Sequence, residues 1–332
     1  MGRDPRIVPP GSLQHVVDVV FQNRFLLRPS PQLNACVLGV LGRAQRKFQM
    51  QICAVAVLSN HLHLLLRPRD GAHLASFMCF LKTNLSKQVT RLQGWHGPVF
   101  GGRYRNTTIS STEIDQAAAL KYVLSQGVKE GLVDRIGDWP GVHCGEALMD
   151  GIIMEGVWMG GPSEVENLED PEHRVEKIVL SPLPCYEDMS ATMWRQWVRE
   201  LVGEIDHEAE LLRLESGRKS LGASAILSMD PHHCPNQVER SPKRRFQVSD
   251  PERRHEMLEI WRDLVRAYRE ASDRFRSGDA VAVIRKGLFP EGTFPPNLPF
   301  IPFSSSSLQN PFSLDGAGHL AKLTALTTRG RP

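Results

Sequence analysis

The sequence of 332 residues lacks the features that would place it among membrane, disulfide-rich or zinc-finger proteins. No apolar run approaches the roughly 18 residues that a membrane-spanning helix needs, and the first residues contain no apolar signal-peptide core. The six cysteines lie far apart and form no CxxC pair, which argues against a disulfide framework or a zinc finger. We therefore expect a soluble intracellular protein with free thiols.

A strong charge bias is also missing. The 40 lysines and arginines nearly balance the 37 aspartates and glutamates, and the net charge of +3 permits a nucleic-acid partner without requiring one. Basic residues gather at positions 67–69, 82–91, 103–105 and 243–245, whereas residues 164–176 are rich in acids. Any anion-binding surface should therefore belong to the N-terminal part.

Residue periodicity predicts the order strand, helix, strand, strand, helix, strand, helix in the first 150 residues. Extended segments are predicted over 15–27, 51–68 (with a turn at Ser59) and 98–109, and helices over 31–47, 72–92 and about 111–127. This order is typical of an α+β sandwich with helices on one face of an antiparallel sheet.

The second half of the chain gives weaker signals. We predict a linker over 151–185, a helical accessory region over 186–290 and a flexible tail over 291–332. The accessory region contains helical patterns over 190–214 and 250–275. His232, His233 and Cys234 invite a zinc interpretation, but prolines flank them and no partner pair lies close in sequence.

Two histidines alternate in the second extended segment. His61 and His63 are spaced i, i+2, so in a strand their imidazoles share one face while Leu62 and Leu64 point to the other. This spacing places two nitrogen donors a few ångströms apart on a rigid element. By itself, however, such a pair is more often ordinary surface or hydrogen-bonded histidine than a metal site.

A tyrosine and an amide side chain lie four residues apart in the third predicted helix. Tyr122 and Gln126 project from one helical face and can reach a common point above the sheet. With the two histidines they supply a nucleophile and the mixed nitrogen and oxygen ligands that suit Mg²⁺ or Mn²⁺. A divalent cation withdraws charge from a phosphodiester, and a tyrosine that attacks the phosphorus forms a covalent 5′-phosphotyrosine.

Three motifs occur in order along the chain: SNHLHLLL at 59–66, GPVFGGRY at 97–104 and ALKYVLSQGVKEGLV at 119–133. Together they closely resemble the single-tyrosine transposases of the HUH class, and within it the REP-associated, RAYT-type branch. The resemblance covers residues 12 to 148. It implies a ferredoxin-like sheet that bears the histidine pair and a helix that presents the tyrosine, so we predict such a domain over residues 1–150.

The resemblance also implies residue roles. His61 and His63 match the metal ligands, Tyr122 matches the nucleophile, and Gln126 matches a third ligand position at which relatives carry Gln, Asn or His. The implied activity is Mg²⁺- or Mn²⁺-dependent cleavage and rejoining of single-stranded DNA, often at hairpin ends. We accordingly expect a cytoplasmic, nucleoid-associated endonuclease of the transposase type. A homodimer is possible but undecided, since in relatives the tyrosine helix serves its own subunit or a partner's.

Basic and aromatic residues near the motifs are candidates for DNA binding. Arg103, Tyr104 and Arg105 could grip phosphates and stack bases, although a solvated strand face is an equal alternative. Lys82 and Lys87 fit the exposed face of an amphipathic helix, which could also follow a DNA backbone.

Two alternative functions remain at this stage. One is a protein that has lost catalysis and binds hairpin DNA or RNA. The other is a zinc hydrolase that uses His61 and His63 with a carboxylate, although no HExxH-type partner stands near the pair.

Overall fold

The computed structural model describes residues 6, 8–159, 174–235 and 244–277. Its strands are β1 (Gln14–Val19), β2 (Gln51–Val57), β3 (His61–Arg67), β4 (Arg105–Ile109), β5 (Met154–Val157), β6 (Val175–Ile178) and β7 (Phe246–Gln247). Its α-helices are α1 (Pro31–Phe48), α2 (Gly71–Gln93), α3 (Glu113–Leu124), α4 (Gly145–Asp150), α5 (Ala191–Ser216), α6 (Ala223–Ser228) and α7 (Pro251–Arg276).

Five strands form one sheet in the order β2-β3-β1-β4-β7. β3 is antiparallel to β1 and β2, β4 is antiparallel to β1, and the short β7 joins β4 in parallel. The first four strands with α1 and α2 therefore have the ferredoxin-like arrangement, in which each helix connects two strands that flank a third. The predicted α+β class with an antiparallel sheet is confirmed.

The two helices of this unit begin and end where their terminal residues can satisfy the backbone. The Ser30 hydroxyl accepts a hydrogen bond from the Leu33 amide at the start of α1, and Asp70 caps α2 through the His73 amide. Gln49 and Gly94 end the same helices in the left-handed conformation.

The sheet is covered on both faces. Lys82 of α2 pairs with Asp18 of β1, which lies opposite Leu62 of β3, so α2 and the adjacent α1 occupy the Leu62 face. α3 lies on the histidine face. The prediction of helices on one face thus holds for α1 and α2 and fails for α3, because the histidine face also carries apolar residues such as Leu65 that require cover.

Two predicted strands are shorter than their sequence patterns indicate. β1 ends at Val19 because Gln22 and Asn23 adopt left-handed backbone conformations with φ of 56° and 55°. β4 begins only at Arg105, since Gly102 has a φ of 148° and interrupts the extended segment.

A β-hairpin lies within the predicted linker. β5 and β6 pair with each other and pack on α1, and a Cβ on Gly39 of α1 would overlap the Val157 backbone. The Glu176 side chain, 5% exposed, accepts hydrogen bonds from Arg43 at 2.9 Å and Arg46 at 2.8 Å. These contacts join residues 154–157 and 175–178 to the N-terminal fold, whereas residues 160–173 lie outside the described ranges.

Replacement of Glu176 tests this attachment. Burial raises the pKa of Glu176, but hydrogen bonds from Arg46 and Arg43 outweigh burial and leave the pKa lowered. We expect Glu176→Gln to reduce the free energy of unfolding by about 1–3 kcal/mol at neutral pH, as for a hydrogen bond to a charged group.

The sign of the pH dependence follows from the lowered pKa. The stability contributed by Glu176 is present above the ordinary glutamate pKa of about 4.3 and is lost as pH falls through the lower value in the folded protein. Urea unfolding of both proteins at neutral and acidic pH measures this change. A difference that stays the same at both pH values would contradict the assignment.

The helical region predicted after residue 186 joins the N-terminal fold. Trp194, Val198 and Ile205 of α5 are buried in the same hydrophobic cluster as the sheet. Phe246 of β7 packs with Met257 and other apolar residues of α7. Residues 278–290 and the predicted tail over 291–332 lie outside the described residues.

No helix in the described ranges is long and apolar enough to cross a membrane. All six cysteines are free thiols. His232 contacts the Gln93 carbonyl and the Cys234 thiol contacts the Gln22 carbonyl, so these side chains bind backbone oxygens.

Candidate active site

β1 and β3 place three histidines on one face of the sheet. His61 and His63 alternate along β3, where they lie opposite Val19 and Val17 of the antiparallel β1. His15, two residues before Val17, therefore points to the same side. His63 is 2% exposed and His15 8%, so both are buried beneath α3, whereas His61 is half-buried.

His15 and His63 are in direct contact. Nε2 of His15 lies 2.9 Å from Nδ1 of His63, and the two rings meet edge to edge, nearly parallel, with centroids 5.2 Å apart. The other ring nitrogen of His63, Nε2, is buried and has no hydrogen-bond partner within the described residues. A buried polar atom without a partner is costly, so this nitrogen marks a place where a ligand would be stabilising.

His61 contacts an oxygen acceptor and an amide side chain. Its Nδ1 lies 2.6 Å from the Asn60 side-chain oxygen, and its ring centroid is 4.8 Å from that of His63. The Gln126 side chain lies close to His61. Because Asn60 can accept the Nδ1 proton, a neutral His61 retains a lone pair on Nε2.

α3 carries Tyr122 to the histidines. The Thr112 hydroxyl and Asp115 cap the start of the helix, and Tyr122 lies near its end. The Tyr122 ring is edge-on to His15 and His63, with centroids 5.5 Å and 5.7 Å apart. Tyr122 is 46% exposed, so the nucleophile predicted from the sequence lies beside the histidines and is open to a substrate.

Gln126 lies in the turn after α3 rather than in the helix, which ends at Leu124. Its amide nitrogen donates to the Tyr122 carbonyl at 2.7 Å, in the i, i+4 relation that the sequence predicts. Since that contact fixes the nitrogen, the carboxamide oxygen is the atom that could bind a cation. The structure thus brings the four predicted residues of the centre together.

The three histidines are electrically neutral at physiological pH. Burial, followed by the charge of Lys129, lowers the pKa of both His15 and His61 to about 4. Burial and the neighbouring His61 and His15 place the pKa of His63 well below its ordinary value. Neutral imidazole is the form that binds metal ions.

Lys129 brings a positive charge to the tyrosine. Its Nζ atom lies 3.4 Å from the centroid of the Tyr122 ring and 3.5 Å from the Glu130 carboxylate. An ammonium group at this position would attract a phosphate and offset negative charge on the phenol oxygen.

The donor set fits a divalent cation with open coordination positions. The two neutral imidazoles lie 4.8 Å apart between ring centroids, the Gln126 side chain lies close to His61, and Nε2 of His63 lacks another partner in the described part of the chain. Within that part, no group of three or more His, Cys, Asp and Glu side chains is arranged to hold a metal ion. The third ligand that the sequence predicts is the amide of Gln126, which is not one of these four residue types.

The predicted DNA-binding residues are divided between the two sides of the sheet. Arg105 is exposed and lies opposite Val17 in the same cross-strand row as His63, and therefore shares the histidine face. Tyr104 is buried beneath the Arg6 guanidinium, which lies 3.4 Å above its ring. Lys82 forms a 2.9 Å ion pair with the buried Asp18 on the opposite face, so Asp18 neutralises its charge.

The other two candidates are exposed. Lys87 belongs to α2 and so lies on the side of the sheet away from Tyr122, and Arg103 lies just before β4. Of the five candidates, Arg105 is best placed to contact a strand of nucleic acid bound at the histidine face.

Sequence reasoning did not identify His15 or Lys129. The alternation of residues 15–19 indicates that His15 faces one side of a strand, but only the register between β1 and β3 reveals His63 as its neighbour. Lys129 follows Tyr122 by seven residues, beyond the end of α3, and its approach depends on the turn at 125–131.

Comparisons with known proteins find several similar solved structures. A REP-associated tyrosine transposase bound to a REP hairpin aligns with 42% of this chain and 81% of its own, at 22% identity and a TM-score of 0.36. A protein assigned as a transposase in Deinococcus radiodurans R1 aligns with 38% of this chain and 98% of its own, at 17% identity and a TM-score of 0.27. No family model and no curated protein sequence matches the chain. Likenesses this distant leave the function to be argued from the site.

Proposed function

We propose that this chain is a metal-dependent endonuclease of the transposase type, which cleaves and rejoins single-stranded DNA through a 5′-phosphotyrosine at Tyr122. The observation that carries the proposal is the approach of the Tyr122 ring to two neutral, buried histidines, 5.5 Å from His15 and 5.7 Å from His63. His61, His63 and Gln126 would hold Mg²⁺ or Mn²⁺. Hairpin-forming DNA is the expected substrate, by the resemblance of the three sequence motifs.

The reaction exchanges one phosphoester for another. The Tyr122 oxygen attacks the phosphorus, the bond from phosphorus to the 3′ oxygen breaks, and the 3′ oxygen leaves as a hydroxyl. The downstream part of the strand stays bound to the enzyme through its 5′ phosphate, and attack by a 3′-hydroxyl reverses the step and frees Tyr122. Since the phosphotyrosine preserves the ester, rejoining needs no external energy source.

The residues around Tyr122 support each part of this reaction. A bound divalent cation supplies Lewis-acid withdrawal of charge from the phosphate. Lys129 stabilises the phenol oxygen when it carries negative charge, and Arg105 offers a second positive charge on the same face of the sheet. The partial exposure of Tyr122 allows a strand to reach it.

Oligonucleotides labelled at either end distinguish the candidate functions. With a single-stranded hairpin substrate and Mn²⁺, we expect the 3′ label to migrate with the protein after denaturation and the 5′ label to appear in a shorter free product. Cleavage without a protein adduct would indicate hydrolysis by water and reject the tyrosine mechanism. Binding without cleavage would instead favour a nucleic-acid-binding protein that has lost catalysis.

The zinc-hydrolase alternative has less support. Within the described ranges, the side chains that hydrogen-bond His61 and His63 are Asn60 and His15, and neither is a carboxylate.

Lys129 provides a prediction that separates catalysis from metal binding. We expect Lys129→Met to slow adduct formation at saturating Mn²⁺ by about 10²-fold, as when one group that stabilises a developing oxyanion is removed. Lys129→Arg keeps the charge and should recover much of the rate. Because the ammonium opposes cation binding, Mn²⁺ affinity should be equal or higher in Lys129→Met. A rate within twofold of the wild-type rate, measured in single-turnover reactions, would contradict this role.

A further inference from the structure

His15 is a buried histidine that the proposed reaction does not itself use. It lies on β1, outside the three sequence motifs, and is 8% exposed. Its Nε2 lies 2.9 Å from Nδ1 of His63, and the two rings are nearly parallel, at an interplanar angle of 14°. The same ring meets the edge of Tyr122. His15 thus contacts both a proposed metal ligand and the proposed nucleophile.

The contact restricts which nitrogen of His63 can bind a cation. Nδ1 faces His15, so Nε2, which has no partner in the described part of the chain, is the atom left for a ligand. A neutral imidazole has one N–H and one lone pair, and Nε2 can bind a cation only when the proton resides on Nδ1. In that tautomer Nδ1 of His63 donates to Nε2 of His15, and His15 carries its own proton on Nδ1.

We propose that His15 is a positioning residue that accepts the Nδ1 proton of His63 and thereby holds the Nε2 lone pair toward the metal site. The inference rests on the proposed function, because His15 would act only through His63, one of the proposed metal ligands. Metal-binding histidines commonly donate their second N–H to such a partner, and loss of the partner weakens metal binding. The same hydrogen bond also fixes the orientation of the His63 ring relative to Tyr122.

The tautomer can be measured without metal or substrate. In protein labelled with ¹⁵N-histidine, long-range proton–nitrogen spectra of the metal-free protein should show His63 in the Nδ1–H form. His15→Leu should shift His63 toward a mixture of tautomers, whereas His15→Gln, whose amide oxygen can accept the same proton, should retain the Nδ1–H form. A wild-type His63 in the Nε2–H form would overturn the proposal.

Calorimetric titration with MnCl₂ provides the second readout. We expect His15→Leu to weaken Mn²⁺ binding by about 10- to 100-fold and His15→Gln to restore most of the affinity. The matched control is His73→Gln, which alters a similarly buried histidine on α2 and should leave Mn²⁺ affinity unchanged. Equal Mn²⁺ affinity in His15→Leu and the wild type would also overturn the proposal.

The two measurements distinguish failure of the proposed function from failure of the role of His15. If the wild-type protein does not bind Mn²⁺, the proposed function fails at its metal centre, and the tautomer measurement still decides whether His15 orients His63. If the wild type binds Mn²⁺ and forms the adduct but His15→Leu changes neither Mn²⁺ affinity nor tautomer, only the role of His15 is rejected.

Discussion

Tyr122→Phe is expected to abolish the covalent adduct with single-stranded DNA while DNA affinity changes little. The substitution removes the oxygen that attacks phosphorus and leaves the ring that packs against His15 and His63. Adduct formation should fall by at least about 10³-fold, as is typical when a covalent nucleophile is deleted. Denaturing gels with the 3′-labelled oligonucleotide measure the adduct, and electrophoretic mobility of the same DNA measures binding.

The matched control is Tyr104→Phe. Tyr104 is buried beneath Arg6 and close to Asp18, a residue of the opposite sheet face, so loss of its hydroxyl should leave the adduct yield within a few-fold of the wild type. An unchanged yield from Tyr122→Phe would remove the basis for a tyrosine mechanism. Equal losses in both variants would indicate a general effect on folding.

The second large effect is expected from loss of the metal centre. Chelation of divalent cations should stop adduct formation by the wild type, and added Mn²⁺ should restore it. His63→Ala should reduce the adduct by at least about 10²-fold even in excess Mn²⁺, because the buried nitrogen that would bind the cation is gone. Single-turnover reactions, with Mn²⁺ affinity measured in parallel, check both statements.

His96→Ala is the control for this experiment, since His96 is exposed and lies in the loop after α2. It should keep the adduct yield and the Mn²⁺ affinity of the wild type. Full activity of the wild type in a chelator, or normal Mn²⁺ binding by His63→Ala, would contradict the assignment of ligands.

Much of the fold could be predicted because its signals are local. The apolar spacing and terminal caps of α1 and α2 lie within each helix, and the alternation in β3 is enough to place His61 and His63 on one face. Tyr122 and Gln126 keep their predicted relation although α3 ends between them, since the Gln126 amide bonds the Tyr122 carbonyl.

The features that were missed depend on residues far apart in sequence. Lys82 looked exposed from helical spacing, but Asp18 neutralises it from a strand 64 positions earlier. His15 becomes a neighbour of His63 only through the register of β1 on β3. β7 adds a parallel strand to β4 from more than 130 positions away, a pairing that no local pattern encodes.

The central claim is that Tyr122 attacks DNA at a centre built from His61, His63 and Gln126. Peptide mass spectrometry of the adduct formed with single-stranded hairpin DNA and Mn²⁺ tests it most directly. The account predicts a nucleotide attached through a 5′ phosphate to the peptide that contains Tyr122, and no such peptide after chelation. A nucleotide attached to another residue, or a cleaved strand with no modified peptide, would contradict it.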